Sequence, residues 1–358
     1  MNVYPIRIIE NIIQLDVGQR GINLQHTDNL CSRTENNLLN SSQKIIKKPG
    51  TTVGIITGFF IPHGAPPAPE TDGPIGALAL ARGLNSLGYK VLLISDSLCM
   101  QPLAAGMRFF SEQLKGTELI EFPLDPDDLE KDEIVTNNLQ YTKKNIDYVN
   151  RFYQKYTALE FLISIERVGP CHSLFSFLEQ QKHGNSIDQT VFKTYGPGEL
   201  SDQCLNMKGV SVSAYTAKLY HLFEYIHNKK LSIDTIGIGD GGNEIGMGNI
   251  PWKVIHQNIL NGLGGKVACR IPTDFTIVSG VSNWAGYALI AAICFLLKKH
   301  FLFLELFSEK SETEFMQQLT EQKLAIDGVL GCPNLSVDGI DWEVHLAILK
   351  LIKNILTS

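Results

Sequence analysis

The sequence lacks the cysteine spacings of zinc-binding and disulfide-stabilised proteins. Its seven cysteines form no Cys-x-x-Cys pair, and an odd number cannot pair completely. A zinc ribbon needs closely spaced cysteine pairs and a disulfide scaffold needs an even set, so we expect neither. Free thiols indicate a reducing compartment, which predicts the cytoplasm or, in a eukaryote, the mitochondrial matrix.

A basic surplus and a long apolar segment are also missing. Lysine and arginine number 31 against 37 acidic residues, whereas nucleic-acid binding favours a basic surface. The most apolar stretch, 284–297, is shorter than the about 20 residues of a membrane-spanning helix, and the first residues lack a secretory-signal pattern. We expect no nucleic-acid partner, no membrane span and no secretion, and we predict a core helix at 284–297.

What the sequence contains is an alternation of short apolar runs with helical stretches. Hydrophobic residues make up 44% of the chain, as in ordinary globular proteins. A partly helical lead-in covers residues 1–50. The predicted strands are 51–60, 89–96, 159–166, 233–240 and 274–281. Strands that alternate with helices predict an α/β fold, a mostly parallel sheet with helices on both faces (three-layer αβα), in one domain over residues 1–358.

Other segments are predicted from helix signals or from the absence of strand signals. A helix is expected from Pro74, which suits a first helical position, to Gly88, which suits a C-terminal cap. Residues 97–158 are expected to be rich in helix, with few strands. Residues 179–208 are expected to form a loop that passes over the functional site.

Polar loops follow four of the predicted strands. Their sequences are ETDGP (70–74), ERVGP (166–170), GDGGNE (239–244) and SGVSNW (279–284). In open parallel sheets, ligands bind beyond the carboxyl ends of the strands. Any one of these loops would be polar simply because it lies at a surface, but four of them together predict a shared cleft.

The densest of these loops, residues 236–249, holds six glycines around Asp240, Asn243 and Glu244. Residues 237–242 match the dinucleotide pattern G-x-G-x-x-G, but glycines and a proline interrupt the following helix and the expected acidic ribose ligand is missing. The favoured interpretation is a turn whose backbone N–H groups bind an anion or a developing oxyanion. Asp240 and Glu244 would act as acid and base there, unless one of them only caps the turn.

Two further loops each allow two interpretations. Thr71 and Asp72 precede the helix that begins at Pro74, whose free N–H groups attract a carboxylate or phosphate, yet both are also ordinary N-cap residues. Glu166 and Arg167 follow a strand. Arginine there suits either bidentate binding of a carboxylate or a buried salt bridge.

Several segments of the sequence also occur together in one known family. In chain order they are VGIITGF, ETDGPIGALALA, FLISIERVG, GIGDGGNEIGMG, VSGVSNWAGYAL and DGVLG…SVDG. In their order along the chain and in nearly all of their residues, these segments resemble the D-glutamate cyclase C-terminal domain family. LDVGQRGI near the start and LNMKG at 205–209 are similar to further blocks of that family. The resemblance covers most of the chain, and GDGGNEIGMG and ETDGP are its most specific segments.

The resemblance implies a lyase that converts D-glutamate into 5-oxo-D-proline and water. Such a reaction needs groups that hold carboxylates, a base for the amine, donors for a tetrahedral oxyanion and an acid for the departing oxygen. Glu166, Asp240 and Glu244 are the candidates for acid and base. The candidate substrate-binding residues are Arg20, Thr71, Asp72, Gly73, Arg167, Asn206, Lys208, Gly241, Gly242, Asn243, Ser282 and Asn283.

Within that set, particular roles are expected. Arg20 or Arg167, together with the helix start at Pro74, would hold substrate carboxylates. The backbone amides of 241–243 would stabilise the oxyanion. The expected partner is a small amino-acid dicarboxylate, and no cofactor is predicted.

Two alternatives remain open at the level of sequence. Asp72, Asp240 and Glu244 could hold Mg²⁺ or Mn²⁺ while the glycine turn binds a phosphate, which would make the protein a metal-dependent hydrolase or phosphotransferase. A non-catalytic protein that binds small carboxylates would use the same cleft without turnover.

Overall fold

A six-stranded parallel sheet forms the centre of the protein. The structure is a computed structural model that describes residues 3–124, 133–136, 139–182 and 189–357. Its strands are β1 (Thr52–Thr57), β2 (Phe60–Ile61), β3 (Ala68–Pro69), β4 (Lys90–Asp96), β5 (Thr117–Phe122), β6 (Glu133–Thr136), β7 (Leu139–Thr142), β8 (Leu159–Ile165), β9 (Asp234–Gly239), β10 (Phe275–Val278), β11 (Ser336–Val337) and β12 (Ile340–Asp341). The sheet order is β10-β9-β8-β1-β4-β5, and β2/β3, β6/β7 and β11/β12 form short antiparallel pairs.

This strand order places a reversal of direction at the centre of the sheet. The chain moves outward from β1 to β4 and β5, and then returns to the other side of β1 to form β8, β9 and β10. The carboxyl ends of β1 and β8 therefore border the crevice where doubly wound sheets bind ligands.

Helices connect the strands and cover the sheet. They are α1 (Tyr4–Ile13), α2 (Leu30–Arg33), α3 (Asn37–Ile46), α4 (Pro74–Ser86), α5 (Met100–Phe109), α6 (Lys143–Lys155), α7 (Leu174–Gln181), α8 (Gln189–Tyr195), α9 (Tyr220–Lys229), α10 (Trp252–Asn258), α11 (Gly264–Val267), α12 (Ser282–Leu296), α13 (His300–Leu306), α14 (Glu309–Glu321) and α15 (Trp342–Thr357). The predicted helical lead-in corresponds to α1, α2 and α3.

Alternation along the strands divides the interior into two hydrophobic layers. Ile55 and Ile163 pack on one face with α4, α12 and α15, whereas the neighbouring Ile56 and Leu162 pack on the other face with α6, α9 and α10. Successive side chains of a strand point to opposite faces, so a sheet buried on both sides needs apolar residues at both positions. The predicted three-layer α/β architecture is confirmed.

The predicted core helix is also confirmed. α12 is buried at every residue from Ser282 to Cys294. It crosses α4 closely, because a Cβ at Gly286 would lie 2.7 Å from the carbonyl oxygen of Gly76. Among the described residues, no helix is both long enough and apolar enough to cross a membrane.

Two predictions about local structure are wrong. Residues 97–158 contain β5, which pairs with β4 at the edge of the sheet. Its sequence TELIEF carries exposed glutamates at positions 118 and 121, which point to opposite faces of the strand and interrupt the apolar run that is typical of a strand buried on both faces. Residues 179–208, predicted as loop, contain the end of α7 and all of α8.

His345 in α15 makes the stability of this fold dependent on pH. The Trp284 N–H donates to His345 Nδ1 at 2.9 Å, and the imidazole stacks on Trp342. Burial lowers the pKa of His345 from 6.5 to about 3. The imidazole therefore takes up a proton near pH 6.5 in the unfolded chain but only near pH 3 in the folded chain. Between these two pH values, the free energy of unfolding falls by about 1.4 kcal/mol for each pH unit of acidification.

We expect His345→Gln to reveal this titration. The variant lacks the group, so its destabilisation relative to the unmodified protein should shrink by about 2 kcal/mol between pH 7.5 and pH 5. Urea denaturation of both proteins at the two pH values measures the difference. Equal destabilisation at both pH values would contradict the prediction.

Candidate active site

Six acidic side chains cluster beyond the carboxyl ends of the central strands. Glu166 directly follows β8 and Asp240 directly follows β9, on the side where the strand order reverses. The six are Glu70, Asp72, Glu166, Asp240, Glu244 and Asp338. Acidic side chains are seldom buried unless they are paired, so six of them in one place require hydrogen-bond or ion-pair partners.

Asp240 is the centre of the cluster. One oxygen each from Asp72, Asp240 and Asp338 lies within 4.8 Å of the others, and the same is true of Glu166, Asp240 and Glu244. The structure thus brings together the three loops that carry Asp72, Glu166 and Asp240, as the positions of the strand ends imply.

Arg20 reaches this cluster from the N-terminal segment. Its Nη1 donates to Asp240 Oδ1 and its Nη2 pairs with Asp338 Oδ1, both at 2.9 Å. The loop is fixed by Asp16, whose carboxylate accepts the backbone N–H groups of Arg20 and Gly21. Arg20, a predicted ligand for a substrate carboxylate, therefore bridges two carboxylates of the protein itself.

Glu166 is held in a strained conformation at the end of β8. Its φ of +44° lies in the left-handed region, which non-glycine residues rarely adopt and which often marks functional sites. The Ser282 hydroxyl donates to Glu166 Oε2 at 2.6 Å. Gly73 leaves room for this side chain, because a Cβ there would lie 2.8 Å from the Cβ of Glu166.

Asp72 and Asn283 cap each other's helices. Asp72 accepts the N–H groups of Ser282 and Asn283 at the start of α12, both at 2.8 Å. Asn283 Oδ1 accepts the N–H groups of Gly73 and Gly76 at the start of α4, and its amide donates to the Thr71 carbonyl. The helix start at Pro74, predicted to bind a substrate carboxylate, is therefore satisfied by Asn283.

Glu244 occupies the nest of backbone amides that follows β9. Its carboxylate accepts the N–H groups of Gly241 and Gly242 at 2.8 Å, and that of Asp240 at 3.3 Å. The sequence correctly indicates a nest for an anion, but the anion is the protein's own side chain. The predicted use of the 241 and 242 amides as oxyanion donors is corrected for this reason.

Arg167 serves a different part of the interior. It donates to the carbonyls of Gly58 and Ala217 and pairs with Asp96 at 2.6 Å. Its side chain is 1% exposed. The salt-bridge interpretation of ERVGP therefore describes Arg167, and its predicted contact with a substrate carboxylate is corrected.

The remaining predicted residues support the loops around the cluster. Thr71 donates to the Ser336 carbonyl, and the Asn243 amide donates to the Leu205 carbonyl. Asn206 Oδ1 accepts N–H groups of its own turn, including that of Lys208, whose side chain is exposed. Within the described residues, neither Asn206 nor Lys208 hydrogen-bonds to the clustered carboxylates.

Two members of the cluster, Glu70 and Asp338, are absent from the predicted site residues, although Glu70 belongs to the predicted loop ETDGP. Asp338 lies in the two-residue turn between β11 and β12, with φ values of +56° for Asp338 and +75° for Gly339. An Asp-Gly pair is the usual signal for this kind of hairpin turn. That signal was available in the segment SVDG, although nothing in the sequence places the turn beside β9.

Burial makes the ionised form of these carboxyl groups costly unless a positive charge compensates it. Burial raises the pKa of Glu166 well above its usual range, and repulsion from Glu244 and Asp72 adds to the effect. Burial likewise raises the pKa of Glu70, Asp72 and Asp240, and Arg20 opposes the rise in each case. A raised pKa is typical of carboxyl groups that transfer protons in active sites.

Comparison with known proteins connects this cluster to a family. The sequence profile described as "D-glutamate cyclase-like, C-terminal" matches residues 9–174 and 175–353. The chain belongs to this family. All six clustered acidic residues lie inside the matched ranges, so the D-glutamate cyclase-like domain includes the whole cluster.

Individual relatives of this D-glutamate cyclase-like chain are more distant. It is 28% identical over 297 residues to human "D-glutamate cyclase, mitochondrial". The match covers 81% of this chain but only 39% of the human protein, so the chain spans about two fifths of that relative. A solved structure of O-ureido-L-serine synthase aligns with 74% of this chain and 64% of its own at 13% identity and a TM-score of 0.19.

Proposed function

We propose that this chain converts D-glutamate into 5-oxo-D-proline and water. The observation that carries the proposal is Glu166, a strained and buried carboxyl group inside the acidic cluster of a D-glutamate cyclase-like domain. Membership of the family and the human relative named D-glutamate cyclase support the choice of substrate.

The reaction needs two protons moved from nitrogen to oxygen. The substrate amine attacks its own γ-carboxyl carbon, so a carbon–nitrogen bond forms and a tetrahedral intermediate appears. One carbon–oxygen bond then breaks, and the oxygen leaves as water with the two protons that the nitrogen loses. Because the two reacting groups belong to one molecule, holding the folded rotamer supplies much of the rate enhancement.

Glu166 is suited to carry these protons. Its raised pKa lets the ionised form take a proton from the amine, and the protonated form return it to the departing oxygen. The Ser282 hydroxyl fixes Oε2 and so orients the carboxyl group. In this proposal Glu244 acts on Glu166 by repulsion and does not itself transfer protons, because backbone amides hold its carboxylate.

Incubation with single enantiomers tests the proposed reaction. We expect D-glutamate to yield 5-oxo-D-proline, and L-glutamate to react much more slowly, by chiral chromatography of the products. Both 5-oxoproline enantiomers should be assayed for the reverse reaction. Thermal stabilisation by D-glutamate without conversion of any of the four compounds would replace the cyclase with a carboxylate-binding protein.

A reducing compartment remains part of the proposal. All seven cysteines are free in the structure, and six of them are buried. The cytoplasm and the mitochondrial matrix both suit free thiols, and the word "mitochondrial" belongs to the name of the human relative.

A further inference from the structure

The acidic cluster contains carboxylate oxygens that accept no hydrogen bond from the described residues. Asp240 Oδ2 and Asp338 Oδ2 are both buried and without a donor, although the second oxygen of each carboxylate is paired with Arg20. The side chains of Asp240 and Asp338 are 0% and 5% exposed. A buried carboxylate oxygen without a donor is costly unless a cation or a proton meets it.

The cations and helix N-termini near the cluster, which could bind a dicarboxylate, already have partners within the described residues. Arg20 is the cation that the described part of the chain pairs with these carboxylates, and both of its terminal nitrogens are engaged by aspartates. Arg167 pairs with Asp96, and Asn283 and Asp72 fill the N-termini of α4 and α12. A substrate carboxylate placed beside the ionised cluster would be repelled unless a positive charge lay between them.

We propose that a divalent metal ion, such as Mg²⁺ or Mn²⁺, binds between Asp72, Asp240 and Asp338 and holds a substrate carboxylate. One oxygen from each of the three side chains lies within 4.8 Å of the others, which suits a hard cation that prefers oxygen ligands. The oxygens without a hydrogen-bond donor, Asp240 Oδ2 and Asp338 Oδ2, are the principal ligands. The assignment of substrate rests on the proposed function, whereas the metal site rests on the geometry alone.

A metal ion explains the cluster better than a substrate ammonium group does. The substrate's ammonium group could donate hydrogen bonds to Asp240 Oδ2 and Asp338 Oδ2. Both substrate carboxylates would then still face the remaining acidic side chains without a compensating positive charge. A divalent ion can bind protein carboxylates and a substrate oxygen at the same time. It would also polarise the γ-carboxyl group toward attack, and leave Glu166 free to move protons.

Binding of Mn²⁺ to the EDTA-treated full chain tests the site. We expect saturable binding of one ion per chain by electron paramagnetic resonance, and an affinity at least about tenfold lower in Asp338→Asn. Asparagine adopts the left-handed turn conformation as aspartate does, so the hairpin should persist. Asp341→Asn is the matched control, because Asp341 is exposed on the same hairpin and should leave affinity unchanged.

Two further measurements separate this proposal from the cyclase proposal. Addition of D-glutamate to the Mn²⁺ complex should change the resonance spectrum if the ion holds the substrate. Mn²⁺ binding without turnover of D-glutamate would leave the metal site standing and remove the cyclase. Turnover in EDTA with no saturable Mn²⁺ binding, or unchanged Mn²⁺ affinity in a folded Asp338→Asn protein, would overturn the metal site.

Discussion

Glu166→Gln is expected to lower the rate of the proposed D-glutamate cyclisation by about 10²- to 10⁴-fold, the usual contribution of a positioned acid or base. Glutamine has nearly the same shape and keeps an oxygen that can accept the Ser282 hydroxyl, but it carries no exchangeable carboxyl proton. The loss should appear in kcat with little change in KM, because the proposed role concerns proton transfer and not substrate binding.

Glu321→Gln provides the control for this experiment. Glu321 is exposed at the end of α14, so the same chemical change there should leave kcat unaltered. Thermal unfolding of each variant checks that the fold is intact. A folded Glu166→Gln protein with the kcat of the unmodified protein would exclude Glu166 from the proposed chemistry.

Asn283→Ala is expected to destabilise the protein by about 2–6 kcal/mol. The change removes the acceptor of the Gly76 N–H group and the donor to the Thr71 carbonyl, at a position with no solvent exposure, whereas the Gly73 N–H group keeps Asp72 Oδ1 as an acceptor. Each buried polar group left without a partner costs about 1–3 kcal/mol. Urea denaturation monitored by circular dichroism measures the loss.

The same substitution on an exposed helix surface serves as the reference. Asn40→Ala in α3 should change the free energy of unfolding by less than about 0.5 kcal/mol. If Asn283→Ala were equally mild, the exchange of caps between α4 and α12 would not be an important source of stability.

The central sheet could be predicted because its strands carry their own signal. Segments such as VGIIT and FLISI are apolar at successive positions, which is typical of strands buried on both faces, and each ends in a polar loop. The position of the site follows from that pattern, since parallel strands end on one side. β5 was not predicted, because a strand at the edge of the sheet is partly exposed and therefore carries fewer apolar residues.

The roles of individual polar residues depended on partners far away in sequence. Asp72 was recognisable as a capping residue, but the helix that it caps begins at Ser282 and not at Pro74. The amides after β9 were recognisable as an anion site, whereas their occupation by Glu244 depends on the fold of that loop. Residue type and spacing indicate what a side chain can bind, and only the tertiary structure selects among the partners.

The Arg20 bridge has a consequence for how the protein is made. Its two partners, Asp240 and Asp338, belong to segments that leave the ribosome long after the arginine does. Contacts between such distant positions form late, because closing a long loop is entropically unfavourable before other contacts reduce the cost. A growing polypeptide can therefore assemble much of the sheet while its acidic centre remains incomplete, and it gains that centre only when the final hairpin docks.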